Sequence, residues 1–166
     1  MHHRFVVSWR YVDTDVDRAR WRGTANVRVL PRLSLGVEFN AAADEVGPLV
    51  TWFLFTETHH RPALFLGTSS DRIGSPPGEQ SYYATFAKHA PGLPVSAYAS
   101  LNYSEWDERF NVPFGATLEL GRGFAVQPMF DGDRGHLLLH YGMSRATASL
   151  LWVWFEEPGL SMSFGF

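Results

Sequence analysis

With 166 residues and a formal net charge of −3, the chain has the length of one domain, able to bury a core or close a barrel. Its arginines are scattered and form no basic block, which excludes a nucleic-acid footprint, and the lack of cysteine excludes a disulfide framework and a thiolate metal site. No window reaches the roughly 18 apolar residues of a spanning helix, and the opening Met-His-His-Arg-Phe shows no secretory signal. A chain that stays inside the cell, or a mature one carrying a new initiator Met, is expected.

Helical periodicity is weak throughout, whereas period-two alternation recurs from end to end with turn chemistry between the runs. It predicts twelve strands at 4–12, 18–30, 33–40, 48–57, 62–69, 81–88, 94–103, 111–120, 124–130, 136–143, 146–155 and 160–166. Strand two sets Trp21, Ala25, Val27 and Val29 against Arg20, Arg22, Thr24, Asn26 and Arg28. Strand three sets Leu33, Leu35, Val37 and Phe39 against Ser34, Gly36, Glu38 and Asn40. In strands four and eleven, Leu-Val-Thr-Trp-Phe-Leu-Phe from Leu49 and Ser-Leu-Leu-Trp-Val-Trp-Phe from Ser149 are apolar on both faces, so their orientation stays open. About 14 residues per strand and connection is the economy of an up-and-down antiparallel barrel, a single domain over 1–166.

Alternation alone does not say which face is inside. The polar face is mostly Ser, Thr, Gly, Ala and Asn with a few Arg and Glu, and Lys88 is the only lysine, so the cover of a solvated exterior is missing. The apolar face is rich in Trp, Tyr, Phe, Leu and Val. The expectation is an all-β, closed up-and-down antiparallel transmembrane β-barrel of about 12 strands, with a polar lumen and an outward band edged by aromatics.

The connections divide in the same sense. Even connections read as tight turns free of acids, while odd ones are mostly longer and hold fourteen of the seventeen acids, including Asp13, Asp15, Asp17, Asp44, Glu45 and Asp71. The other three, Glu38, Glu57 and Glu119, fall within predicted strands. Acids disfavour strands, but that does not explain their absence from alternate loops.

On this pattern, the short-turn and long-loop asymmetry and the final Leu-Ser-Met-Ser-Phe-Gly-Phe, the chain resembles the bacterial outer-membrane β-barrel proteins. The segment from Arg28 to Phe39 resembles a periplasmic hairpin of small members. The resemblance implies an outer-membrane location, contact with membrane lipids and lipopolysaccharide, and delivery by the barrel assembly machinery, with no cofactor. Leu160, Met162, Phe164 and Phe166 would form the closing strand and assembly signal. Ser161 stands where the family often has a glycine.

The candidate lumen lining is Arg10, Arg20, Arg22, Arg28, Glu38, Glu57, Glu119, His136 and His140. An arginine row facing carboxylates suits either a network bracing the lumen or the lining of a narrow solute channel, and neither is enzymatic. Two alternatives remain open. One is a soluble calycin-like barrel with its apolar face turned inward on a lipophilic ligand. The other is a membrane-embedded lipid hydrolase or deacylase, in which His136 or His140 works with Asp131 and Ser144. The adjacent His59 and His60 are read as solvated turn residues and the loop acids as solvated too, with no metal.

Overall fold

The computed structural model describes residues 4–166, so the Met-His-His of the signal-peptide reading lies outside it. From Phe5 onward the chain runs β1 (Phe5–Val12), a helical turn α1 (Asp17–Arg20), β2 (Trp21–Leu30), β3 (Leu33–Asn40), β4 (Glu45–Phe55) and β5 (Ala63–Ser70). There follow β6 (Gln80–His89), β7 (Val95–Ser104), β8 (Arg109–Asn111), β9 (Phe114–Gly121), β10 (Phe124–Phe130), β11 (Gly135–Gly142), β12 (Ala146–Val153) and β13 (Glu157–Gly165). Every pairing is antiparallel, β6 meets β7 and β13 returns to β1, so twelve strands form a closed ring. The three-residue β8 stands outside the ring, paired with the end of β7. Connections 13–20, 41–44, 71–79, 105–113, 131–134 and 154–156 gather at one end, the loop rim. Those at 31–32, 56–62, 90–94, 122–123 and 143–145 gather at the other, the turn rim.

The wall is inverted relative to a water-soluble domain. Among the described residues, the buried hydrophobic ones are only Val12, Ala19, Ala63 and Val153, while the buried polar and charged ones include Arg18, Glu38, Asn40, Glu45, Asp71 and His136. Large apolar side chains point outward instead, from Phe39 and Val37 on β3 to Leu150 on β12, which is 62 % exposed. From Leu35 to Asn40 the faces of β3 follow the sequence alternation residue for residue. The two doubly apolar segments are resolved as well: Trp52, Leu150 and Trp152 face out, and Ser149 and Val153 face in. Aromatic pairs mark both rims, with Tyr11–Trp21 and Tyr103–Phe110 toward the loops and Phe5–Phe166 and Phe124–Tyr141 toward the turns.

Four details depart from the sequence reading. Residues 18–20, expected to open strand two, form α1, because Val16 O accepts the amides of Ala19 and Arg20 at 3.0 and 3.1 Å and Arg18 is drawn into the barrel mouth. Strand four runs from Glu45 to Phe55, with a register shift between Phe53 and Phe55, so Glu57 lies in the 56–62 connection and the turn rim does carry an acid. The predicted eighth strand is broken at Pro113, which has no amide to donate and whose carbonyl instead accepts from Ser100 N at 2.8 Å. Trp154 and Phe155 leave β12 for a tight turn with φ of 56° and 59°.

Glycine is required where an inward side chain crosses the neighbouring strand. A Cβ on Gly67 would collide with the Tyr83 hydroxyl and the Val50 carbonyl oxygen. Gly67→Ala is therefore expected to lower the unfolding free energy by about 1–3 kcal/mol, measured by denaturant titration of the purified protein; an unchanged midpoint would contradict this packing.

Candidate functional site

The polar faces of β1, β2 and β3 bring charge into register inside the barrel. Arg10 on β1 stands opposite Arg22 on β2, and like charges placed opposite one another repel unless a counter-charge intervenes. Glu38, one strand further on, supplies it: Oε2 receives Arg22 at 2.5 Å, and Oε1 receives Asn40 at 3.0 Å together with the Ser70 hydroxyl. At 1 % exposure the carboxylate is shielded from bulk solvent, and these donors replace the hydration it loses.

The network continues to the loop rim. The second Asn40 N–H reaches Glu45 Oε2 at 3.0 Å, and that oxygen also takes Arg18 Nε at 2.9 Å. Gly78 N donates to Glu45 Oε1 at 2.6 Å, while Arg18 donates to the Glu79 carbonyl at 2.8 Å and to the Ser75 hydroxyl. Arg18 thus pins α1 to the 71–79 loop across the mouth. Beside it, Asp71 Oδ2 accepts from Ser104 at 2.5 Å, and Arg72 pairs with Asp107 while lying 4.8 Å above the Trp106 ring. The Arg72 hydrogen bond, ahead of an opposing burial contribution, holds the Asp107 carboxyl below the usual carboxylate range. On the far wall His136 Nε2 meets Asp131 at 2.8 Å and its Nδ1 faces the Trp154 amide at 3.3 Å.

Next toward the turn rim comes a neutral belt. Hydroxyl pairs cross between strands at Ser8–Thr24, 2.5 Å, and Thr85–Ser100, 2.6 Å. His140 sits between Ser149 Oγ at 2.7 Å and Gln127 Oε1 at 3.0 Å. Two adjoining cavities remain among these groups. One of about 320 Å³ is lined by Arg10, Arg22 and Glu38 on one side and by Leu138, Leu151 and Val153 on the other. The other, about 260 Å³, lies against Tyr83, Thr85, Ser100 and Asn102.

The structure brings Arg10, Arg22, Glu38 and His136 around the larger cavity and leaves the remaining sequence candidates elsewhere. Arg20 is on α1 at the loop rim, hydrogen-bonded to the Thr14 carbonyl at 2.8 Å. Arg28 is on β2 near the turn rim, opposite Ser34. Glu119 is exposed near the turn rim, and Glu57 is exposed beyond β4, 3.4 Å from Lys88. His140 belongs to the neutral belt. The Ser144, Asp131 and His136 grouping is not assembled, because Ser144 lies in a turn-rim connection and Asp131 in a loop-rim one. His140 has Ser149 Oγ at Nδ1 and the Gln127 amide oxygen at Nε2, the reverse of the serine and carboxylate positions of a triad and with no carboxylate on the imidazole. Leu160, Phe164 and Phe166 are exposed on the outer surface and Met162 is half-buried beside them.

Sequence reasoning passed over Arg18, Asn40, Glu45, Asp71 and Arg72. Asn40 was visible only as one more residue on the polar face of strand three, and the other four only as charges in or beside the loops, which cannot be told from solvated loop charge before the loops are seen to fold inward. Among the described residues no group of three or more His, Asp or Glu side chains is arranged to hold a metal ion. No protein-family model matches the chain, and no curated protein matches it.

Glu38→Gln leaves Arg22 without its counter-charge and is expected to destabilise the barrel by about 3–5 kcal/mol, whereas Glu57→Gln at the exposed rim should change it by less than about 1 kcal/mol. Equilibrium unfolding of both variants checks the contrast. For Asp131, burial opposes ionisation, but the His136 hydrogen bond and the amides of Arg134 and Asp133 outweigh it and lower its pKa. The unfolded chain therefore takes up this proton at higher pH than the folded one does. The contribution of the carboxylate is complete above about pH 4, the ordinary aspartate range, and is lost as pH falls through the lowered value. The stability gap between wild type and Asp131→Asn, about 1.5–3 kcal/mol at neutral pH, should close below about pH 4.

Proposed function

We propose that the chain is a membrane-spanning β-barrel of a bacterial outer membrane, with a charged lumen that braces the wall and leaves only a narrow path for solutes. One observation carries this reading: a closed ring of antiparallel strands turns most of its large apolar side chains outward and buries arginine, glutamate and asparagine inside. Bilayers admit strands only as closed barrels, since every backbone amide and carbonyl must find a partner within the protein. Strands such as β4, with eleven residues, and β2, with ten, meet the roughly 9–11 residues a tilted strand needs to cross the hydrocarbon. Aromatic pairs at both rims fit the two interfaces, and the loop rim, rich in acids, would face outward with lipopolysaccharide.

A calycin-like barrel would turn its apolar wall to the interior, and the arrangement around Glu38, Asn40 and Arg22 supports the opposite sidedness. The clamp of Arg18 on Glu45, Ser75 and Glu79 supports a braced lumen over a wide pore.

The protein expressed in a Gram-negative host behind a signal peptide is expected in the outer-membrane fraction, extracted by detergent and not by carbonate; a detergent-free soluble monomer would overturn the membrane reading. In planar bilayers the wild type should show conductance near the baseline, and Arg18→Ala, which frees α1 from the 71–79 loop, should raise it. Large unitary conductance in the wild type would contradict the braced lumen.

A further inference from the structure

Four arginines line the larger luminal cavity, and three of them are committed. Arg18 is held by Glu45, Ser75 and Glu79, Arg22 by Glu38, and Arg72 by Asp107 and the Trp106 ring. Arg10 differs from them. Its Nε is buried without a hydrogen-bond partner, and among the described residues its guanidinium makes no ion pair. The carboxylates of the same cavity are turned to other donors: Glu38 to Arg22, Asn40 and Ser70, Asp71 to Ser104, and Asp131 to His136. A guanidinium with its Nε shut away unpaired, its other end lining the cavity and Arg22 facing it across the β1–β2 ladder, calls for an anion.

The cavity also states what that anion carries. Leu138, Leu151, Val153 and Met129 give the wall of β10, β11 and β12 an apolar stretch beside its His136–Asp131 pair, across β13 from the charged wall of β1 to β3. Between the two walls runs β13, where Gly159, Ser161 and Ser163 stand in register with Val12, Arg10 and Ser8 and contribute little side chain. A planar carboxylate matches the fork of an arginine, and a volume of about 320 Å³ lies at the small end of ligand sites.

We propose that this cavity binds a small amphipathic monocarboxylate, with its carboxylate on Arg10 and its apolar body against Leu138, Leu151 and Val153. The site belongs to the barrel interior, so it does not depend on whether a bilayer surrounds the wall.

The test uses the full chain in a neutral detergent with 4-fluorobenzoate as probe, followed by ¹⁹F line broadening. Saturable broadening is expected with wild type, with affinity weakened at least tenfold in Arg10→Gln and partly retained in Arg10→Lys. Equal binding to wild type and to a folded Arg10→Gln would overturn the proposal. Should Arg10→Gln fail to fold, wild type alone decides: 4-fluorobenzyl alcohol, of the same shape without the charge, should give no saturable binding, and binding equal to that of the acid would overturn the assignment. Saturable binding of inorganic phosphate with none of 4-fluorobenzoate would overturn the amphipathic class. Each of these outcomes is read independently of membrane extraction.

Discussion

The pairing of β1 with β13, from Val6 with Gly165 to Val12 with Gly159, is the interaction on which the rest of the molecule depends. An open sheet of this composition would expose two unpaired edges and leave both faces accessible to water. Once the seam closes, inside and outside become distinct, and the period of two in each strand assigns every side chain to one or the other. The small residues Gly159, Ser161, Ser163 and Gly165 then meet the interior, and Leu160, Phe164 and Phe166 meet whatever surrounds the wall.

Within that enclosure the polar groups are organised by desolvation. A carboxylate as buried as Glu38 survives only with a full set of donors, and it draws them from β2, β3 and β5. Arginine suits this work better than lysine, since its planar fork can address several acceptors from one position, as Arg18 does with Glu45, Ser75 and the Glu79 carbonyl. The near absence of lysine, read in the sequence as a missing solvated exterior, thus has a second cause inside.

Most of the wall was legible because one face of each strand is consistently apolar. Strand β3, with Leu35, Val37 and Phe39 against Gly36, Glu38 and Asn40, left no freedom in register or orientation. Where the alternation served two structures at once, it misled. Arg18, Ala19 and Arg20 continue the alternation of strand two, but they form α1, with Arg18 in a buried ion pair with Glu45. The segment from Asn111 to Leu120 alternates through Pro113, where the backbone has no amide to continue the ladder. The luminal site was half legible: Arg22 and Glu38 sit on clean strands, whereas Arg18, Asp71 and Arg72 come from loops whose inward fold is a tertiary event. Glu57 shows the reverse case, a charge in an extended stretch that the sheet simply does not include.

The seam also sets the order of events in folding. Thr14 Oγ1 meets Glu157 at 2.9 Å across a sequence separation of 143 residues, and the β1–β13 ladder spans even more of the chain. The other ladders of the ring join strands that are near neighbours in sequence, so each can form from a hairpin. The last one cannot begin until the intervening strands have curved the sheet back on itself. Loop-closure entropy grows only with the logarithm of length, so this final step is costly less for its distance than for its lateness. A topology with such contacts folds slowly, and until the seam closes β1 and β13 are free strand edges open to pairing with another chain.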